Sequence, residues 1–310
     1  MSGTVLVTGA AGFAGGYLLD LLAGGDEPVV GWHRPGRAPT RSDVAWDAVD
    51  LMDRTAVRAA IARTRPSTVY HCAGAAHVGR AWDGAQATFS TNVMGTHHLL
   101  EALRAARVRA HVVVPSSALV YRPSSEAMTE DHPLAPTSPY GLSKLAQELL
   151  ACHAGSDEIH VTIARAFNHF GARQDPAFAA SGFARQIAQI EAGRQAPEIL
   201  VGNLEAQRDL TDVKDTVRAY RLIAERGRAG RAYNVGSGRA VAIRDVLDML
   251  VARSRVPIDV RIDPERFRPN DVPILVSDIS RIRDEIGWQP TIPLEQTIQD
   301  TLDYWRAAVS

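Results

Sequence analysis

Tyr140 and Lys144 stand four residues apart in the run Tyr-Gly-Leu-Ser-Lys, so a helix sets the phenol and the ammonium on one face. A cation so placed favours the ionised phenol, and the tyrosine becomes a candidate acid or base. Upstream, Ser116-Ser117 brings hydroxyls, of which Ser117 is placed to give a second hydrogen bond. The trio suits carbonyl reduction: as hydride reaches the carbonyl carbon, charge develops on oxygen, and a positioned donor must neutralise it. Tyr-x-x-x-Lys by itself is short and common, and it also describes a tyrosine packed at a helix start beside a solvated lysine.

The N-terminus adds an independent sign. Thr4-Val-Leu-Val-Thr8 reads as a buried strand, Gly9-Ala-Ala-Gly12-Phe-Ala-Gly15 as a turn, and Tyr17, Leu18, Leu19, Leu21 and Leu22 fall at helical spacing. Glycines permit the tight turn and a close approach of backbone to pyrophosphate, whose charge the helix N-terminus favours. Strand, glycine turn and helix in that order predict a nicotinamide dinucleotide site.

These residues need a scaffold, and the chain alternates strands with helices. Strands are predicted at Pro28–Gly31, Val44–Val49, Thr68–Cys72, His111–Pro115, His160–Ala164 and Ala232–Val235, with helices over Asp53–Thr64 and Thr88–Ala106 and from Tyr140. The pattern predicts an α/β fold, a doubly wound parallel sheet whose ligands bind outside the strands' C-terminal ends, where the motifs above fall. From about residue 168 the loops lengthen, with helices expected near 178–192, 212–226, 243–253 and 294–306. The expected division is a dinucleotide-binding part over 1–167, to which about 210–236 returns, and a smaller interleaved C-terminal substrate lobe over 168–209 and 237–310.

With 310 residues the chain can bury a large core. Lys+Arg 34 against Asp+Glu 35 gives a net charge of −1, so no global basic field points to nucleic acid or an anionic membrane. Cys72 and Cys152 offer neither a disulfide framework nor a zinc pattern; they read as core residues and suit a reducing cytoplasm. The first thirty residues lack a basic region, and Asp20 interrupts their apolar stretch, so neither a signal peptide nor a membrane span is expected. His33, His71, His77, His97, His98 and His169 show no metal-ligand spacing, and no metal is expected.

Taken together, Thr8-Gly-x-x-Gly-Phe-x-Gly15, Asp50-Leu51, Asn92-Val-x-Gly95, Ser116-Ser117-x-x-x-Tyr121, Tyr140-x-x-x-Lys144, Arg165-x-Phe-Asn168 and Arg268-Pro-x-Asp271 resemble the extended short-chain dehydrogenases/reductases that act on nucleotide sugars. The resemblance spans essentially the whole chain and implies a Rossmann fold. It implies Ser117, Tyr140 and Lys144 as catalytic, the last two also touching the cofactor. It implies Gly9, Gly12, Phe13, Ala14 and Gly15 at the pyrophosphate, Asp50 and Leu51 at the adenine, and Ala73, Ala75 and Asn92 as further cofactor contacts. Ser116, Asn168, Arg185, Asn203, Arg208 and Arg268 are implied at the sugar nucleotide, and a homodimer packed through helices at 88–106 and 140–152. Phe167-Asn-His169, Val201-Gly-Asn-Leu-Glu-Ala206 and Arg208-Asp-x-Thr-Asp-Val213 are similar to the GDP-4-keto-6-deoxy-D-mannose reductases, which make GDP-rhamnose. Departures are Pro115 where glycine is usual, Ala118-Leu119 in place of an acidic pair, and Ala172-Arg173 in place of proline-glycine.

Cofactor choice turns on the end of the second strand, where an NAD site usually carries Asp or Glu for the ribose hydroxyls. This chain has Gly31-Trp32-His33-Arg34-Pro35-Gly36-Arg37 instead. With no carboxylate there, and with Arg34 and Arg37 able to meet a 2′-phosphate, NADP(H) is preferred. NAD(H) stays possible, since Asp43 could fold back. Three activities fit: an NADPH-dependent 4-ketoreductase, a nucleotide-sugar epimerase with retained NAD, and a non-catalytic nucleotide-sugar sensor. The sensor has no need for Ser117, Tyr140 and Lys144 together.

Overall fold

A computed structural model describes residues 3–36, 39, 41–77, 79–266 and 272–309. The strands β1 Val5–Thr8, β2 Val29–His33, β3 Ala45–Ala48, β4 Thr68–His71, β5 Ala110–Ser117 and β6 Ile159–Ala166 lie side by side. After β7 Asn168–Phe170, β8 Glu198–Val201 and β9 Gln207–Asp212, the chain returns with β10 Ala232–Val235 to complete the sheet. Its order is β10-β6-β5-β4-β1-β2-β3, and every neighbouring pair is parallel. The α/β, doubly wound parallel sheet expected from the alternation is therefore the architecture.

Both faces of the sheet are apolar because both are covered. On one face Leu6, Val69, Val112, Val114 and Ile163 pack under α2 Arg54–Thr64, α5 Gly95–Ala105 and α6 Pro139–Ala154, the helices α1 Phe13–Leu22, α3 Arg80–Asp83 and α4 Ala85–Phe89 completing the series to that point. On the other, the alternate residues Val5, Val7, Tyr70 and Val113 meet Leu18 and Leu19 of the helix Phe13–Leu22 and Val217, Tyr220 and Ile223 of the helix Val213–Arg226. Ile282, Ile286 and Trp288 join this second core, so part of the segment assigned to the substrate lobe, 280–288, packs on the central sheet. The rest of the lobe has its own core of Phe170, Phe183, Ile187, Ile199, Val246, Leu250, Ile298 and Leu302.

Two expectations change. The single helix predicted over 88–106 is broken, with a π turn at Ser90–Met94 between the short helix Ala85–Phe89 and α5. The wider turn lets the Asn92 side chain reach Ala75 and Ser143 while its carbonyl accepts from Thr96 Oγ1 at 2.6 Å. Cys152 is not a core residue: it lies exposed on α6, and Cys72 is partly buried.

Candidate active site

The C-terminal ends of β1, β4 and β5 open onto a cleft of about 2010 Å³, at the point where the strand order reverses between β1 and β4. Gly9 turns the chain out of β1 with φ +65°, and a Cβ there would lie 2.6 Å from the Ala73 backbone nitrogen. Glycine alone lets the ends of β1 and β4 come this close. Gly12 then caps the helix Phe13–Leu22 with no side-chain hydrogen bond. A helix N-terminus with free N–H groups receives anions, so the lining residues Gly9, Gly12, Phe13, Ala14 and Gly15 fit a dinucleotide pyrophosphate.

Ser117 ends β5, and its Oγ accepts from Leu119 N at 3.2 Å. The helix α6 begins at Pro139 and is capped by Ser138, whose Oγ accepts from Gly141 N at 3.1 Å. A Cβ at Gly141 would sit 2.3 Å from the Leu119 carbonyl oxygen. Because that carbon is absent, the first turn of α6 lies against the turn that follows Ser117, and Tyr140 and Ser117 line the same part of the cleft. Burial pushes the phenol up to about 12, with the Ser117 hydroxyl pulling the other way.

Lys144 follows one turn later and is buried, which lowers it to about 8. Its Nζ donates to the Pro115 carbonyl at 2.6 Å and to Gln147 Oε1 at 2.5 Å. The phenol is therefore set by burial and Ser117, and the expected ionisation of Tyr140 by Lys144 is not the arrangement found. A phenol that holds its proton suits an acid toward a developing alkoxide.

Ala73, Ala75, Tyr140 and Lys144 line the same cleft, whereas Asn92 stands behind it. Asn92 Oδ1 accepts from Ala75 N at 2.8 Å and Nδ2 donates to Ser143 Oγ at 2.9 Å, which holds the loop after β4 in place. Asp50, Leu51, His33 and Arg34 lie outside the lining. Asp50 accepts from Met52 N at 2.9 Å, the Leu51 carbonyl accepts from His98 Nδ1 at 2.8 Å, and His33 Nδ1 donates to the Arg34 carbonyl at 3.0 Å. Arg37 falls outside the described residues, as does Arg268.

On the substrate side, Ser116, Asn168, Arg185, Asn203 and Arg208 all line the cleft. Ser116 Oγ is buried with no hydrogen-bond partner among the described residues. Arg185 lies over the Trp305 ring at 5.7 Å, and Arg208 donates to the carbonyls of Gln207 at 2.8 Å and Val272 at 2.7 Å.

Arg41, Arg173 and His77 stand in the cleft without having been read from the sequence as site residues. Arg41 pairs with Asp20 and, at 2.9 Å, with Asp43. That hydrogen bond holds the Asp43 carboxyl at about 2, so the carboxylate expected as the alternative partner of an NAD ribose is committed to Arg41. Arg173 has φ +70°, its guanidinium 3.8 Å from the Tyr17 ring and 2.6 Å from Asp20. The usual glycine at that position was the available signal, since left-handed backbone favours glycine and here the arginine's contacts offset the strain. His77 and Asp175, both lining the cleft, meet at 3.5 Å, a contact their spacing did not predict. No group of three or more His, Cys, Asp or Glu among the described residues is placed to hold a metal, and no described helix is long and apolar enough to cross a membrane.

The profile described as GDP-mannose 4,6 dehydratase matches residues 6–301. The chain is 32% identical over 313 residues to the GDP-6-deoxy-D-mannose reductase of Pseudomonas aeruginosa, covering 100% of this chain and 99% of that one. The solved structure of RMD from Pseudomonas aeruginosa complexed with NADPH superposes with a TM-score of 0.88 at 31% identity, over 99% of this chain and 100% of that one. The UDP-glucose 4-epimerase of Thermus thermophilus in complex with NAD also gives a TM-score of 0.88, at 28% identity, over 99% and 100% of the two chains.

Proposed function

Because this chain belongs to the GDP-mannose 4,6 dehydratase family of extended short-chain dehydrogenases/reductases, we propose that it reduces the 4-keto group of GDP-4-keto-6-deoxy-D-mannose, forming GDP-D-rhamnose at the expense of NADPH. It is an NAD(P)-dependent oxidoreductase in which NADP(H) is preferred and NAD(H) possible.

One observation carries the choice of reduction over dehydration. Removing water across C5 and C6 needs a base for the C5 proton and an acid for the C6 hydroxyl. Between Ser117 and Tyr121 the chain makes a 3₁₀ turn of Ala118, Leu119 and Val120, and none of these side chains moves a proton. The carboxylates lining the cleft among the described residues are Asp175, Glu198 and Glu265, away from that turn in sequence. Asp175 faces His77 at 3.5 Å, and Glu198 is paired with Arg261 at 2.8 Å.

NADPH, when bound, supplies the hydride. Gly9, Gly12 and the helix N-terminus at Phe13 receive its pyrophosphate. Ser117 and Tyr140 grip the carbonyl oxygen, and Tyr140 delivers its proton there as charge develops. Lys144, held by Pro115 and Gln147, offers its cation to the nicotinamide ribose. Ser116, Asn168, Arg185, Asn203 and Arg208 take the sugar nucleotide, the arginines suiting its diphosphate. In this reading 1–167 with 210–236 binds dinucleotide, and 168–209 with 237–310 binds substrate. Exposed Phe89, Met94, Leu142 and Leu149 on the helices expected to pair support a homodimer, and the two free thiols suit a reducing cytoplasm.

Mass spectrometry tests the reading. With GDP-4-keto-6-deoxy-D-mannose and NADPH the product should be heavier by two hydrogens; with intact GDP-mannose and NADP⁺ no product lighter by one water should form. Water loss in the second mixture and no reduction in the first would make the chain a dehydratase. Protein that purifies with tightly held NAD and consumes no NADPH would make it an epimerase.

A further inference from the structure

Behind the catalytic face, a chain of buried polar side chains links α6 to β4 and β1. Lys144 Nζ donates to Gln147 Oε1 at 2.5 Å, and Gln147 Nε2 donates to Thr96 Oγ1 at 2.8 Å. The single hydroxyl proton of Thr96 goes to the Asn92 carbonyl at 2.6 Å, so this oxygen must accept from its other neighbours. His71 Nε2, 2.9 Å away, therefore carries a proton, and Nδ1 accepts from Thr8 Oγ1 at 2.8 Å. Thr8 in turn accepts from Ala73 N at 3.2 Å, in the loop that lines the cofactor cleft. Thr8, His71, Thr96, Gln147 and Lys144 are all buried, and each proton in the chain has one place.

This accounting fixes the Gln147 amide. Turned over, it would set Nε2 against the ammonium and Oε1 against a hydroxyl whose proton is already committed. An ammonium has three N–H donors. The Pro115 carbonyl takes one at 2.6 Å and Gln147 takes another, which leaves one.

We propose that Gln147 is a positioning residue: locked by Thr96 and His71, it holds the Lys144 ammonium and leaves its third N–H for the cleft. The proposal rests on the reading of Lys144 as part of the reductase site. Gln147 touches neither substrate nor cofactor in this role and acts through the lysine alone. The titratable groups facing Lys144 are Glu148 on its own helix and Cys72 and His71 at the end of β4. Burial holds His71 neutral, at about 3, and pushes the Cys72 thiol up to about 12, so neither competes for the lysine proton near neutral pH.

The test is the pH profile of kcat/KM for NADPH, which reports groups of the free enzyme, in Gln147→Leu and Gln147→Glu. Gln147 Oε1 accepts from the charged lysine and so favours it. Losing that oxygen makes the lysine give up its proton at lower pH, and the alkaline limb should move down by ~1 pH unit in Gln147→Leu. A carboxylate in its place should move the limb up by a similar amount. If reduction of the GDP-4-keto sugar is absent even in the unmutated protein, the functional reading has failed, and NADPH affinity against pH, read by fluorescence, still tests Gln147 with the same signs. A residue that only fills space would lower the melting temperature in both variants without moving the limb. Limbs unchanged in both folded variants would overturn the proposal; if Gln147→Leu does not fold, the upward shift in Gln147→Glu decides it.

Discussion

Arg165 on β6 grips Glu148 on α6 inside the protein, with Nη2 2.9 Å and Nε 3.1 Å from Glu148 Oε2. The remaining guanidinium nitrogen donates to Tyr121 Oη at 3.0 Å and to the Glu130 carbonyl at 2.9 Å, so every guanidinium nitrogen has a partner. Glu148 lies one helical turn beyond Lys144, and the pair fixes the helix that carries Tyr140 and Lys144. Glu148→Ala leaves a buried guanidinium uncompensated and should cost about 3–5 kcal/mol of stability, read by urea unfolding. Glu148→Leu combined with Arg165→Met should recover part of that loss. A cost below ~1 kcal/mol for the single variant would show that water reaches this site.

Tyr140→Phe keeps the ring and removes the phenolic proton beside Ser117. Turnover of the GDP-4-keto sugar should fall by roughly two to four powers of ten, the range of a positioned acid. NADPH affinity, measured by fluorescence, should stay close to that of the unmutated protein. Turnover within a few-fold of it would remove Tyr140 from the chemistry.

NADPH should bind more tightly than NADH. One lost charge-assisted contact to the 2′-phosphate is worth about 1.5–3 kcal/mol, on the order of tenfold to a hundredfold in the ratio of the two affinities. Arg34→Ala should narrow the ratio, and Arg41→Ala should narrow it further, because Arg41 lines the cleft and Arg34 does not. Calorimetric titration of both cofactors decides it; equal affinities in the unmutated protein would assign these arginines another task.

Leu149 is 62% exposed and Leu142 53%, on the helix α6 that is expected to pair with its copy. Light scattering should find a dimer, and Leu149→Asp should shift it toward monomer by placing a carboxylate in an apolar contact. A monomeric unmutated protein at micromolar concentration would show that these leucines serve another contact.

What the sequence determined by itself was local or periodic. The apolar run His111–Pro115 announced a strand delivering Ser116 and Ser117, and the Gly9–Gly15 turn between strand and helix announced an anion site. The four-residue spacing of Tyr140 and Lys144 placed both on α6 before any packing was known. Tertiary structure decided what crosses from one element to another. Only packing brought the α6 start against the Ser117 turn, gave Lys144 to the Pro115 carbonyl in place of the phenol, and drew Asp20 to Arg41 and Arg173. Cys152 shows the same limit from the other side, since an apolar helix residue turns to core or surface according to the helix's rotation on the sheet. Such contacts depend on where separate elements come to rest, and residues such as Thr8, His71, Thr96 and Gln147 have no common spacing along the chain by which to be read.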